Sequence, residues 1–243
     1  MLILAVDTTS EAGGAAIFRG EECLASVAND GPANIYSITL FQMIDRLVSE
    51  ARTKTRAQLR ALSDIELYAV TNGPGSFTGI RVGLAAAQGW AKAFGRPVLG
   101  VSALQALVEE GQPKTELAVP ILDAHRGEFY LQAFRGMAEG GVTHLVPEGD
   151  GLVLKPEGVN RFIAERASQR GPATCLVREH DGAATGLRES LPADLAWRSV
   201  SGTLLRAVAR LALCAASRGE LASPADLDAY YIRRSDAELN WKE

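Results

Sequence analysis

The sequence predicts an α/β protein made of two related halves, on three observations. Short apolar runs of β type alternate with stretches whose apolar residues recur every three or four positions, the pattern of strands interleaved with amphipathic helices. An apolar strand ends in an aspartate twice, at Asp7 and Asp123, and each time Phe-Arg-Gly follows eleven residues later, at Phe18-Arg19-Gly20 and Phe134-Arg135-Gly136. A generic strand-turn-strand would give a weaker form of that match, and duplication is the preferred architecture. The 243 residues, 47% hydrophobic, can fill the core of one large or two small domains.

The elements follow in order. "LILAV" is a strand ended by Asp7-Thr8-Thr9, and "GGAAIFRGEECLASVA" contains two more strands that turn at Arg19-Gly20-Glu21. From Ala33 to about Arg52, Leu40, Phe41, Ile44, Leu47, Val48 and Ala51 mark the buried face of a first helix. Then come the strand "ELYAV", the glycine loop "GPGSFTGIRVG", a helix over Phe77 to Phe94, and "PVLGV", ended by Ser102 as the N-cap of a further helix. The first hundred residues read βββαβαβ. After "GQPKTE" the pattern restarts with "LAVPILDAHRGEFYLQAFRG", then the strand "GVTHLVP", a helix near Pro156 to Ala167 and the strand "ATCLV". "REHDGAATGLRESLPADLAW" is expected to be a surface loop. Leu204, Leu205, Val208, Leu211, Ala212 and Ala215 predict a last helix over Ser201 to Ala216, stopped by Gly219 and Pro224. The halves are placed at 1–110 and 111–243, with the last helix packed back on the first half as the alternative.

Composition excludes several function classes. A formal net charge of −4 supplies no global field for nucleic acid or an anionic membrane, so any nucleic-acid contact would be local or made through a partner. Cys23, Cys175 and Cys214 are odd in number and form no Cys-x-x-Cys, which argues against disulfides and zinc. "MLILAV" has no basic region, and no apolar run approaches the ~20 residues of a membrane span, so a reduced cytoplasmic setting without a membrane is expected.

Asp7 ends the first strand, where open α/β sheets present ligand-contacting side chains, and Thr8 and Thr9 add hydroxyls that would suit a phosphate or hydrated magnesium. The competing reading has Asp7 capping its own turn. Asp123 has the same two readings, with capping ahead. His125, His144 and His180 stand far apart, with no His-Glu-x-x-His and no Gly-x-Ser-x-Gly, so metal and nucleophile chemistry find no support; His125, in the turn after Asp123, is the one to watch. The glycine loop fails as a Walker loop for want of Gly-Lys-Ser/Thr. As a dinucleotide fingerprint it has Gly73, Gly75 and Gly79 between strand and helix, but no acid ends the next strand. A third reading is preferred: Gly75, Gly79, Gly83, Ala87 and Ala91 recur every four residues, a stripe that lets another helix come close. The first helix carries Ile35, Ile38 and Met43 beyond one buried face. Two such helices favour a helix-on-helix interface with a partner.

Taken together, "ILAVDTTS", "GPGSFTGIRVGLAAAQGWA", "GVSALQAL", "LDAHRGEFY" and "YYIRRSDAE" resemble the TsaB (YeaZ) family over essentially the whole chain. The resemblance implies the fold of the actin, hexokinase and Hsp70 superfamily, with two ribonuclease-H-like βββαβα halves. It also implies a part in making threonylcarbamoyladenosine beside the anticodon of tRNAs that read codons beginning with adenine. In that family's system TsaD transfers the threonylcarbamoyl group with help from TsaB and the ATPase TsaE. TsaB is similar to TsaD but lacks its metal-binding histidine pair, and no His-x-x-x-His occurs here. Family members often carry His-Ser where this chain has Tyr36-Ser37, so any contact made by that histidine must differ.

Two hypotheses result. In the first, the chain is a noncatalytic subunit that holds TsaD, or a second copy of itself, through Ile35, Ile38, Met43, Phe77, Gly79, Ile80, Gly83 and Ala87, with tRNA and TsaE met in the complex and no cofactor required. A large residue at Gly83 or Ala87 is then expected to abolish binding with the fold intact. In the second, Asp7, Thr8, Thr9 and Asp123 contact ATP or ADP with magnesium in a cleft or at a partner interface.

Overall fold

The computed structural model describes residues 1–31, 35–54, 59–139, 142–179, 181–192 and 195–233. His180, the helix start expected at Ala33 and the tail beyond Arg233 lie outside these residues, as does the side chain of His144.

One sheet holds β1 (Leu2–Asp7), β2 (Gly14–Arg19), β3 (Glu22–Ala28), β4 (Leu67–Gly73) and β5 (Val98–Ser102), in the order β3-β2-β1-β4-β5. The first three form an antiparallel meander, and β4 and β5 continue in parallel on the other side of β1. The second sheet holds β6 (Leu117–Asp123), β7 (Phe129–Glu139), β8 (Val142–Leu154), β9 (Ala173–Arg178) and β10 (Ala196–Val200), in the order β8-β7-β6-β9-β10 with the same directions. The two sheets match strand for strand in the ribonuclease-H-like arrangement. Arg19 lies opposite Leu2 and Arg135 opposite Leu117, so both Phe-Arg-Gly copies end a hairpin beside the start of the central strand.

The helices are α1 (Tyr36–Lys54), α2 (Phe77–Phe94), α3 (Ala103–Gly111), α4 (Pro156–Arg170), α5 (Gly182–Glu189) and α6 (Leu205–Arg218). Strand side chains alternate between faces, so β1 points Leu4 and Val6 one way and Ile3 and Ala5 the other. Leu4, Val6, Ile17 and Leu24 join Leu40, Ile44 and Leu47 of α1 and Ile80, Leu84 and Trp90 of α2 in one core. Ile3, Ala5, Phe18 and Leu67 face away from that core and are equally buried. That second face is covered by α6, which packs on β1, β2, β4 and β5 and sets the Arg206 guanidinium 5.8 Å from the Phe18 ring centre. Burying Leu205, Val208 and Ala212 there places α6 with the first sheet. One compact unit is therefore Met1–Glu110 with Ser201–Ala229, and the other is Gly111–Val200 with the described residues from Tyr230. The simple division at 111–243 gives way to the alternative in which the last helix returns to the first half. In the second unit, α4 and α5 cover β6, β7 and β9 through Val159, Ile163, Ala184 and Leu187.

α2 runs over the residues its periodicity predicts: the Ser76 hydroxyl accepts from the Gly79 amide at 3.2 Å at its start, and left-handed Gly95 ends it. Two expectations are corrected. Ser102 does not cap α3; it is the last residue of β5, and its buried hydroxyl finds no hydrogen-bond partner among the described residues. The expected surface loop after Arg178 contains α5 and β10. The carboxylate of Asp181 accepts from the Ala184 amide at 2.9 Å and starts α5, whose buried residues are spaced too briefly to signal a helix. β10 is an edge strand exposed along most of its length, so it lacks the apolar run that marks a strand in sequence.

Candidate functional site

In the first unit the carboxyl end of β1 and the start of α2 meet almost without intervening side chains. Asp7 and Thr8 are fully buried, and Thr9 is nearly so. Asp7 Oδ1 accepts from the Thr9 amide at 3.0 Å, the Thr9 hydroxyl at 2.6 Å and the Thr71 hydroxyl at 2.7 Å. The Thr8 hydroxyl donates to the Gly79 carbonyl at 2.7 Å, and the Ser76 amide donates to the Thr9 carbonyl at 2.7 Å. A Cβ added at Gly75 or Gly79 would come under 3.0 Å from the Thr9 or Thr8 carbonyl oxygen, and one at Gly83 would strike the Thr8 hydroxyl. Gly75, with φ near +156°, also uses a backbone conformation that side chains disfavour. The glycine loop thus cradles the protein's own Thr8-Thr9 backbone.

This answers the two sequence readings of Asp7. It takes the capping role, and neither its carboxylate nor the Thr8 hydroxyl is open to a phosphate in this structure. Replacing Asp7 by Ala leaves three buried donors without this acceptor, and stability should fall by about 3 kcal/mol. Thermal unfolding should then shift down by roughly 6–12 °C for a chain of this size. A melting point within a degree of wild type would show that the three bonds contribute nothing net.

In the second unit Asp123 is half-buried and also caps a turn: it accepts from the His125 amide at 2.7 Å, and its other oxygen lies 3.1 Å from His125 Nδ1. His125, Arg126 and Gly127 are all left-handed, at φ 59°, 58° and 72°. Non-glycine residues enter that region at a cost of roughly 1 kcal/mol each, and the surrounding bonds hold them there. Those bonds include Arg233 Nη1 to the Ala124 carbonyl at 2.8 Å and an Arg233–Glu128 ion pair. Burial pushes the nearby Tyr130 hydroxyl above its ordinary pKa, and Arg233 pulls it back in part.

The residues predicted for a partner interface divide sharply. Gly79, Gly83, Ala87, Ile80 and Met43 are buried inside the first unit, where the small-residue stripe admits the Thr8-Thr9 turn and the sheet. They are unavailable to a partner. Ile38 is 68% exposed and Phe77 40%, and Ile35 is half-buried. Phe41, assigned by periodicity to the buried face of α1, is 55% exposed, with its ring edge-on to Trp90 of α2 at 6.0 Å. The outer side of α2 shows Ala85 and Gly89, and a Cβ at Gly89 would meet nothing within 4 Å. Arg81 lies 3.8 Å over the Phe77 ring. The outward faces of α1 and α2 therefore present large apolar groups beside small residues, a surface suited to another helix pair.

Comparison with known proteins shows what the chain as a whole is similar to. A family model described as TsaD, tRNA N6-adenosine threonylcarbamoyltransferase, matches residues 35–149. The tRNA threonylcarbamoyladenosine biosynthesis protein TsaB of Escherichia coli is 32% identical over 172 residues, 70% of this chain and 69% of that protein. The TsaB of Bacillus subtilis is 29% identical over 61% of each chain. The solved structure of YeaZ from Pseudomonas aeruginosa superposes with a TM-score of 0.71 at 25% identity, covering 95% of this chain and 99% of that one.

Proposed function

Since the chain belongs to the TsaB family of tRNA threonylcarbamoyladenosine biosynthesis proteins, we propose that it serves as a noncatalytic partner of TsaD in transferring the threonylcarbamoyl group to tRNA. The observation that carries this reading is the exposed apolar side of α1 and α2, centred on Ile38 and Phe41. Leaving two such side chains in water is unfavourable unless a partner covers them. The polar groups most suggestive of chemistry, Asp7, Thr8, Thr9 and Thr71, are sealed inside and engaged with one another, which supports a binding role over a catalytic one. In this reading TsaD covers the α1/α2 face, a second copy of the chain covers it when TsaD is absent, and TsaE and tRNA are met within the complex. ATP turnover belongs to TsaE, the chain needs no cofactor of its own, and the setting is cytoplasmic. Depleting the chain in its host should sharply lower the threonylcarbamoyladenosine content of bulk tRNA, measured by mass spectrometry of nucleosides, and expression of the wild-type gene should restore it. Unchanged modification after depletion would sink the proposal.

A further inference from the structure

Gly89 lies in the interior of α2, more than a turn from its end at Phe94, on a side that faces water. Glycine at such a place weakens folding about fivefold relative to alanine, because it gives up more backbone freedom and has no side chain to bury. Elsewhere on this helix packing explains the glycines: a Cβ at Gly79 would strike the Thr8 carbonyl and one at Gly83 the Thr8 hydroxyl, so those positions must stay bare. At Gly89 the backbone is helical and a Cβ would meet nothing within 4 Å. Among the described residues of the first unit, nothing calls for glycine rather than alanine there.

The neighbours of Gly89 give the bare position a shape. With 3.6 residues per turn, Gln88 and Trp90 point about 100° to either side of it. The Trp90 ring meets exposed Phe41 of α1 edge-on at 6.0 Å, which raises α1 on one flank. The Gln88 amide donates to the Pro224 carbonyl at 3.2 Å and the Leu227 carbonyl at 2.8 Å, which fixes the short helical turn Pro224–Asp226 on the other. Between the flanks, one turn before and one turn after Gly89, stand Ala85 and Ala93, both exposed. A helix laid in this trough comes nearer to α2 than the usual ~8–10 Å, because the side chains at the crossing set that distance. TsaD fits as the source of such a helix, since the TsaD match over residues 35–149 takes in both α1 and α2.

We infer that Gly89 is the crossing point at which a helix of TsaD lies directly on α2, so close that a single methyl group would hold the two apart. The inference rests on the TsaD partnership proposed above and adds the residue that sets the approach. It is tested by calorimetric titration of TsaD from the same host with the full chain as wild type, Gly89→Ala and Gly89→Leu, together with the melting point of each. Gly89→Ala should melt roughly 2–4 °C higher than wild type and yet bind TsaD about tenfold more weakly. Gly89→Leu should lose measurable binding while melting no lower than wild type. A purely structural role would move stability and binding together, so their opposite movement is the signature. Equal affinity for wild type and Gly89→Ala overturns the inference. So does weakened self-association with undiminished TsaD binding, which would assign the crossing to a second copy of the chain. If wild type itself binds no TsaD, the partnership fails and this inference with it; if wild type and both variants bind alike, only the crossing point fails.

Discussion

Gly79→Ala should destabilise the first unit by about 3 kcal/mol or more, near the upper end for adding a single methyl to a packed site. The added Cβ falls under 3.0 Å from the Thr8 carbonyl oxygen, which is backbone and has no rotamer to change. Relief requires α2 to move away from β1, and that movement stretches the Thr8 hydroxyl bond to Gly79 and the Ser76 amide bond to Thr9. Differential scanning calorimetry should show the melting point lowered by roughly 6–12 °C. Gly89→Ala is the internal control: it lies on the same helix, its Cβ meets nothing, and alanine in place of a mid-helix glycine should stabilise by up to about 1 kcal/mol. Equal effects from the two substitutions would refute the close packing as the cause. The same geometry changes how the partner surface can be probed. A large residue at Gly83 or Ala87 would disrupt the fold before reaching any partner, since Gly83 abuts Thr8 and Val70 and Ala87 lies in the core.

The Ile38→Glu, Phe41→Glu double variant should abolish copurification with TsaD with only a small change in melting point. Apolar anchors at the centre of an interface typically contribute 2 kcal/mol or more each, so losing even one weakens binding by about 30-fold, and placing carboxylates there adds desolvation. Exposures of 68% and 55% keep both side chains at the surface, and losing the edge contact of Phe41 with the core ring of Trp90 should lower the melting point by only a few degrees, about 1 kcal/mol. On the proposed reading that a second copy covers this face when TsaD is absent, the isolated wild-type chain should sediment as a dimer and the double variant as a monomer. Normal recovery of TsaD with the double variant would remove the α1/α2 face from consideration as the docking surface. A loss of binding accompanied by a large drop in melting point would point to misfolding, which an adjacent Gln42→Ala control would help to separate.

Much of the fold was legible in the sequence because it rests on short-range pattern. β1 to β5, α1 and α2 all declare themselves through apolar spacing and their end residues, and the Asp7 and Asp123 copies reveal two equivalent sheets. α5 and β10 escaped because each buries few residues and sits among Gly, Asp and Pro, where turn signals dominate. The family motifs were legible as well, and with them the biosynthetic system. Of the residues chosen on α1 and α2 for a partner surface, Gly79, Ile80, Gly83, Ala87 and Met43 face inward, while Ile38 and Phe77 are exposed. Periodicity finds the apolar sides of a helix but does not say which side meets the sheet. Met43 and Phe41 are both apolar and two positions apart, and only the packing buries the first and exposes the second.

The sequence by itself determined the order and type of most elements, the duplication, and the unusual small-residue stripe of α2, because each is written in the spacing of neighbouring residues. Only the tertiary structure decided what the stripe is for. Gly75 and Gly79 meet the Thr9 and Thr8 carbonyls and Gly83 meets the Thr8 hydroxyl, about seventy positions away, contacts that no short-range pattern encodes. The return of α6 to the first sheet was decided in the same way, by an apolar sheet face that needed cover and a distant helix with the matching face. Local patterns record what each segment can bury, and the three-dimensional chain chooses the partner that buries it.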